Sequence, residues 1–379
     1  MIRKIGIGVA GLVALLGVSL AATYMLTMPQ PLPENSSSSE WLETGPYSVG
    51  ILETEFVDDE RPTDENGDYA GAANRSFPTN IWFPENAEGR HPLIIHSHGF
   101  VSSRTDLSYA ASHLASYGYI VVAADYPLTS GGAPGGPNAN DLINQPDDVS
   151  FLIDSVLELS GSNKPFSGEI DTSRIGLMGY SLGGLTSTLA SYHPRLRDER
   201  ISAAISIAGP SAALAKKFYQ TTDIPFLMIA GTLDALVDFR ANAAVIPERV
   251  GNSALLEIAG GTHLGFSSMA EPLFRLLHHP DGFGCSAVLS NLDEDPNAAF
   301  TVLGTEADGI VIDSNTPAVC QTMPTEKALH PGRQRMATTI AVLSFFESVF
   351  ADDQASREAA LDQLSHSLPA DMPEVTYSR

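Results

Sequence analysis

The sequence predicts an α/β fold, a mostly parallel central sheet with helices on both faces. Three observations predict it. Short apolar runs alternate with helical stretches through the middle of the chain, the pattern of parallel strands joined by crossover helices. One run, residues 174–180, enters Gly179-Tyr180-Ser181-Leu182-Gly183, a G-x-S-x-G turn followed at once by a small-residue helical stretch. Asp234 and His263 each follow two further apolar runs in the same way.

The elements follow in order. Residues 49–57 and 80–83 read as early antiparallel strands, and 92–97 (PLIIHS) and 119–124 (YIVVAA) as buried strands around a helix at 105–117. Residues 128–140 are too rich in Gly and Pro for regular structure, and they follow a strand end, so they should border any active site. Residues 146–159 place Val149, Leu152, Ile153, Val156 and Leu157 on one helical face. The G-x-S-x-G strand comes next, with its helix at 182–192, a strand at 203–207, and strands at 224–230 and 254–259. Residues 280–323, loose and rich in Gly, Pro, Asp and Asn, read as a surface excursion. Residues 333–350 form a closing apolar helix, 356–365 one more exposed helix, and the last dozen residues an unstructured tail. The expected organisation is thus a targeting segment (1–28), a linker (29–44), one catalytic domain (45–350) and a C-terminal helix and tail (351–379).

The chemistry lies at the strand ends. A serine hydroxyl is a poor nucleophile until something positions it and takes its proton. A sharp strand-to-helix turn holds Ser181 above the sheet, and Gly179 and Gly183 leave room for crowded backbone there. Strand ends on one edge of a parallel sheet lie close in space, so Ser181, Asp234 and His263 can converge. Their order, Ser, Asp, His, is that of the α/β-hydrolase fold. Asp238 is the rival acid, set deeper in the segment that follows. The oxyanion donors expected from this architecture are the backbone N–H groups of Leu182 and Phe100, each worth roughly 3 kcal/mol. His96 and His98 share one strand face and raise a metal pair as an alternative, with no third ligand apparent. The serine chemistry itself requires no metal and no organic cofactor.

Composition narrows the partners. The formal net charge is −24, and between Glu40 and Asp68 ten carboxylates face one basic residue, Arg61. Such a chain does not suit nucleic acid or anionic membrane surfaces; the expected partner, a small-molecule or lipid-like ester, follows from the serine chemistry rather than from the charge. Arg3 and Lys4 precede an uncharged apolar run, residues 5–28, which reads either as a signal peptide, with a small-x-small site at Ser19-Leu20-Ala21, or as an uncut membrane anchor. Both readings put the domain outside the cytoplasm. Residues 27–40 form a Pro- and Ser-rich linker. Cys285 and Cys320 are the two cysteines, an even pair that suggests a disulfide in an exported chain.

Five motifs carry a resemblance: Gly45-Pro46-Tyr47-Ser48-Val49-Gly50, Trp82-Phe83-Pro84, HSHGF at 96–100, GYSLGG at 179–184 and GTHLGF at 261–266. Over residues 45–266 the chain resembles serine α/β-hydrolases allied to platelet-activating-factor acetylhydrolases and predicted dienelactone hydrolases. Bacterial polyester hydrolases and cutinases are similar around the same motifs. The resemblance implies ester hydrolysis through an acyl-serine, with short acyl groups favoured. True dienelactone hydrolases carry cysteine where this chain has Ser181. An amidase or peptidase with the same triad, and a binding protein on a hydrolase scaffold, are the alternatives.

Overall fold

Strand order decides where chemistry can sit in this molecule. The computed structural model describes residues 27–159, 164–292 and 298–379, so the expected signal or anchor lies outside the described residues up to residue 26. The strands are β1 (Val49–Asp58), β2 (Arg75–Pro84), β3 (Arg90–Ser97), β4 (Ile120–Ala124), β5 (Glu169–Tyr180), β6 (Ile201–Ile207), β7 (Phe226–Gly231), β8 (Ser253–Ile258) and β9 (Val375–Ser378). They form one sheet in the order β1-β2-β4-β3-β5-β6-β7-β8-β9. From β4 through β8 neighbours are parallel; β1, β2 and β9 pair antiparallel at the two edges. The chain winds from β3 to β4 on one side and continues through β5 on the other. The crevice at such a reversal, beyond the strand C-termini, is where open α/β sheets bind ligands. Ser97 at the end of β3 stands opposite Gly179 near the end of β5.

The long helices are α1 (Ser37–Leu42), α2 (Ser108–Ser116), α3 (Gln145–Leu159), α4 (Leu182–Tyr192), α5 (Asp281–Leu289), α6 (Pro331–Phe350) and α7 (Gln354–Asp362). The strands read as unbroken apolar runs because both faces are covered. Ile95, Val122, Leu177 and Met228 pack with Val149, Leu152 and Ile153 of α3 and Leu185 and Leu189 of α4. Their chain neighbours Ile94, Val121, Met178 and Leu227 pack on the other face, with Leu114 of α2 and Ile340, Leu343 and Phe346 of α6. Alternation of side chains along each strand does this sorting.

Three expectations are corrected. The last residues are structured: β9 pairs with β8, Val375 opposite Ile258 and Tyr377 opposite Leu256, and closes that edge. The Ser-rich linker is partly folded. Ser37 donates to Gln363, the Ser38 amide donates to Asp371, and the Trp41 carbonyl accepts from His113. The excursion at 280–323 is more than surface: Leu303 and Ile310 are buried in the core beside α4, and the Leu303 carbonyl accepts from His193. Cys285 and Cys320 form a disulfide across a sequence separation of 35.

Candidate active site

Gly179 and Gly183 interlock at the turn after β5. A Cβ at Gly179 would lie 1.9 Å from the Gly183 carbonyl oxygen, and one at Gly183 would lie 2.0 Å from the Ser97 carbonyl oxygen. With backbone packed this tightly, Ser181 adopts φ 56° and ψ −121°, a conformation a non-glycine residue holds only when its surroundings impose it. Its N–H donates to Ile207 at the end of β6, and its carbonyl accepts from Gly184, opening α4. Ser181 Oγ therefore stands above the sheet.

The other two side chains arrive from β7 and β8. His263 Nδ1 lies 2.7 Å from Asp234 Oδ2, and His263 Nε2 lies 2.8 Å from Ser181 Oγ. With the aspartate ionised, Nδ1–H donates to it and Nε2 is left to accept the serine proton. Asp234 is fixed in turn, its Oδ1 accepting from the amides of Leu236 and Val237. His263 is almost wholly buried. Burial alone would depress its pKa, but the Asp234 charge and hydrogen bond, with lesser help from Asp281 and Asp106, raise it above the ordinary imidazole value. The Tyr180 hydroxyl donates to the His263 carbonyl at 2.9 Å, and the two rings lie 5.0 Å apart. Asp238 does not join this group; its side chain caps the turn at Phe239–Asn242 by accepting from Ala241.

Phe100 and Leu182 both border the cavity at Ser181. The loop that holds Phe100 is braced on either side. The Val101 amide donates to Thr129 and the Gly131 amide to Ser102, so the Gly- and Pro-rich segment expected at the site rim buttresses it. His98 supports the same loop. Its Nε2 accepts from the Tyr126 amide and its Nδ1 donates to the Gly99 carbonyl. His96 instead faces the Met178 carbonyl, and burial lowers its pKa to about 4. The two histidines thus serve separate backbone partners rather than one shared position.

Beside Ser181 lies an apolar cavity of about 90 Å³. Leu142, Leu182 and Leu185 form one wall, while Val288, Leu292, Phe300 and Val319 of the excursion form another. Leu142 sits in a turn, Ala139–Asn144, tied down by a buried ion cluster: Arg75 of β2 donates to both Asp141 and Asp148. Burial pushes the Asp148 carboxyl up to about 6 against the pull of Arg75.

Sequence reasoning missed Asp281, the first residue of α5. Its side chain is fully buried, and its carboxylate accepts the amides of Ala235, His263 and Leu264. In sequence it resembles an ordinary acidic helix start after Pro280. The position of the excursion between His263 and the closing helix places its roots at the site rim, and Val288 and Val319 do line the cavity. The individual wall residues carry no mark in the sequence, because apolar residues in a loose segment do not show what they line.

The chain is similar to several known proteins. A family model described as PET hydrolase-like matches residues 72–276, more than half of the chain. Cutinase est1 of Thermobifida alba is 24% identical over 61% of this chain and 68% of that protein. Cutinase cut1 of Thermobifida fusca is 25% identical over 65% of this chain and 68% of that protein. A ferulic acid esterase from Streptomyces cinnamoneus superposes with a TM-score of 0.58 at 18% identity, over 88% of this chain and 97% of that one. Its likeness establishes the α/β-hydrolase fold.

Proposed function

We propose, from the premise that the chain belongs to the PET hydrolase-like family of serine esterases and is a carboxylic-ester hydrolase, that it works outside the cytoplasm on short-acyl esters through an acyl-Ser181 intermediate. The observation that carries this reading is the continuous contact Asp234–His263–Ser181, opening onto the small apolar cavity. Ser181 Oγ attacks the ester carbonyl while His263 Nε2 takes its proton. The Phe100 and Leu182 amides receive the oxyanion. His263 returns the proton to the departing alcohol, then activates the water that releases the acid. Asp234 keeps the imidazole in the required tautomer and stabilises its charged form. The disulfide supports an oxidising compartment.

The raised His263 pKa has a definite consequence. The base must be neutral, so kcat/KM rises with pH along a limb centred above about 6.5. Stability runs the other way. The contribution of the protonated His263–Asp234 pair is complete below about 6.5 and fades as pH rises through the higher folded value. A pH–rate profile on a soluble p-nitrophenyl ester checks the first statement; a limb below 6.5 contradicts it.

The cavity size supports short acyl chains. Turnover of p-nitrophenyl acetate and butyrate should exceed that of the decanoate and longer esters; a profile that peaks only at long chains overturns the preference. Because Val288 and Val319 flank the disulfide and line the cavity, a Cys285→Ser/Cys320→Ser variant should broaden the profile. It should also lose about 3–4 kcal/mol of stability under oxidising conditions, read as a lower Tm.

A further inference from the structure

Asp281 is buried, and nothing in the reaction scheme uses it. Among the described residues it forms no ion pair with Lys or Arg; three backbone amides hold its carboxylate. Oδ2 accepts from Ala235 at 3.0 Å and from His263 at 3.0 Å, and Oδ1 accepts from Leu264 at 2.8 Å. Ala235 follows the catalytic acid directly, and His263 is the base itself. One carboxylate thus bridges the two loops that carry Asp234 and His263. Ala235 is held from its other side as well, since its carbonyl accepts from the Cys320 amide at 3.0 Å. Cys320 is bonded to Cys285, one turn along α5 from Asp281. Excursion and catalytic loops therefore form one closed assembly.

We propose that Asp281 is a positioning residue for the esterase reaction: it locks the Asp234 and His263 loops in register and adds a second negative charge behind the imidazole. The proposal rests on the assignment of Ser181 and His263 given above. Two carboxylates serve the histidine unequally. Asp234 touches the ring and sets its tautomer. Asp281 touches only the backbone on either side and acts through geometry and field. The groups that face His263 are Asp234 after β7, Asp281 on α5, Asp106 in the loop before α2, and Tyr180 at the end of β5. Removing one carboxylate from this set makes the imidazolium harder to form. Asp281 itself is held above its ordinary value by burial and by the Asp234 charge, against the pull of His263 and the amides.

The substitution Asp281→Asn separates these roles. An amide keeps the size but sets an NH2 group against at least one N–H donor, so one tie opens and the charge disappears. Asp281→Glu keeps the charge but lengthens the side chain by one methylene. With p-nitrophenyl butyrate, Asp281→Asn should lower kcat about 10- to 100-fold with KM changed less than about threefold. Its acid limb should move to lower pH by about 0.5–1 unit. Asp281→Glu should lower kcat yet keep the acid limb at the wild-type position. If Asp281→Asn does not fold, the limb of Asp281→Glu decides: at the wild-type position it supports the proposal, and displaced it overturns it. Wild-type kcat with an unmoved limb in Asp281→Asn overturns the proposal. So does a loss of kcat with an unmoved limb, since that describes a tie that only holds the fold. Ser181→Ala is measured in parallel. Activity in that variant removes the assignment of Ser181, whereas an inactive Ser181→Ala beside an unaltered Asp281→Asn removes only the role of Asp281.

Discussion

Asp234→Asn should cost about four orders of magnitude in kcat while leaving the protein folded. The side chains are nearly equal in volume, and the Leu236 and Val237 amides can still donate to the Asn oxygen, as they do to Asp234 Oδ1. That orientation turns the new NH2 group toward His263 Nδ1. Nδ1 must then accept, so the ring proton moves to Nε2, the atom that faces Ser181 Oγ at 2.8 Å. The base arrives already protonated. Asp238→Asn is the matched control: Asp238 only caps a turn, asparagine is an equally good cap, and kcat should remain within about twofold. Steady-state turnover with circular dichroism on both variants checks the pair; a large loss in Asp238→Asn with activity kept in Asp234→Asn reverses the assignment.

The second large effect is at the turn itself. In Gly183→Ala the new methyl would lie 2.0 Å from the Ser97 carbonyl oxygen and 2.6 Å from that of His98. Both obstacles are backbone, at the end of β3 and the start of the loop that carries Phe100. No rotamer relieves the clash. Either α4 moves away from β3, which displaces Leu182 and Ser181 together, or the fold is lost. The expected result is more than about 4 kcal/mol of destabilisation and no measurable turnover. Gly282→Ala, with nothing within 4 Å of its added Cβ, should leave Tm unchanged or slightly raised, as expected for alanine in a helix. Thermal melts of the two variants test the contrast.

The parts of the site legible in the sequence are those whose signal is local. Ser181 sits in a five-residue motif after an apolar strand, and Asp234 and His263 follow strands of the same kind. Parallel-sheet geometry supplies the convergence that sequence does not display. Asp281 is the opposite case. It meets His263 from 18 positions away and Ala235 from 46, and three main-chain donors leave no trace in side-chain identity. The C-terminal strand shows a third situation. Val375 and Tyr377 alternate as a strand should, but four residues after a polar helix carry too little pattern to be told from a tail. What makes them a strand is the open edge of β8, known only once the sheet is assembled. Residues 36–39, all serine, read as linker for a similar reason. Their order comes from Gln363 and Asp371, more than 300 positions away.

The proposed function stands or falls on whether Ser181 carries the acyl group. Intact-protein mass spectrometry after exposure to a fluorophosphonate, read alongside turnover of p-nitrophenyl butyrate, tests it most directly. One adduct is expected, mapped to Ser181, with loss of hydrolysis in step with labelling. The Ser181→Ala protein should take no label and retain less than about one part in 10⁴ of kcat. A Ser181→Ala protein with wild-type turnover, or a stoichiometric adduct on another residue that abolishes activity, would contradict it.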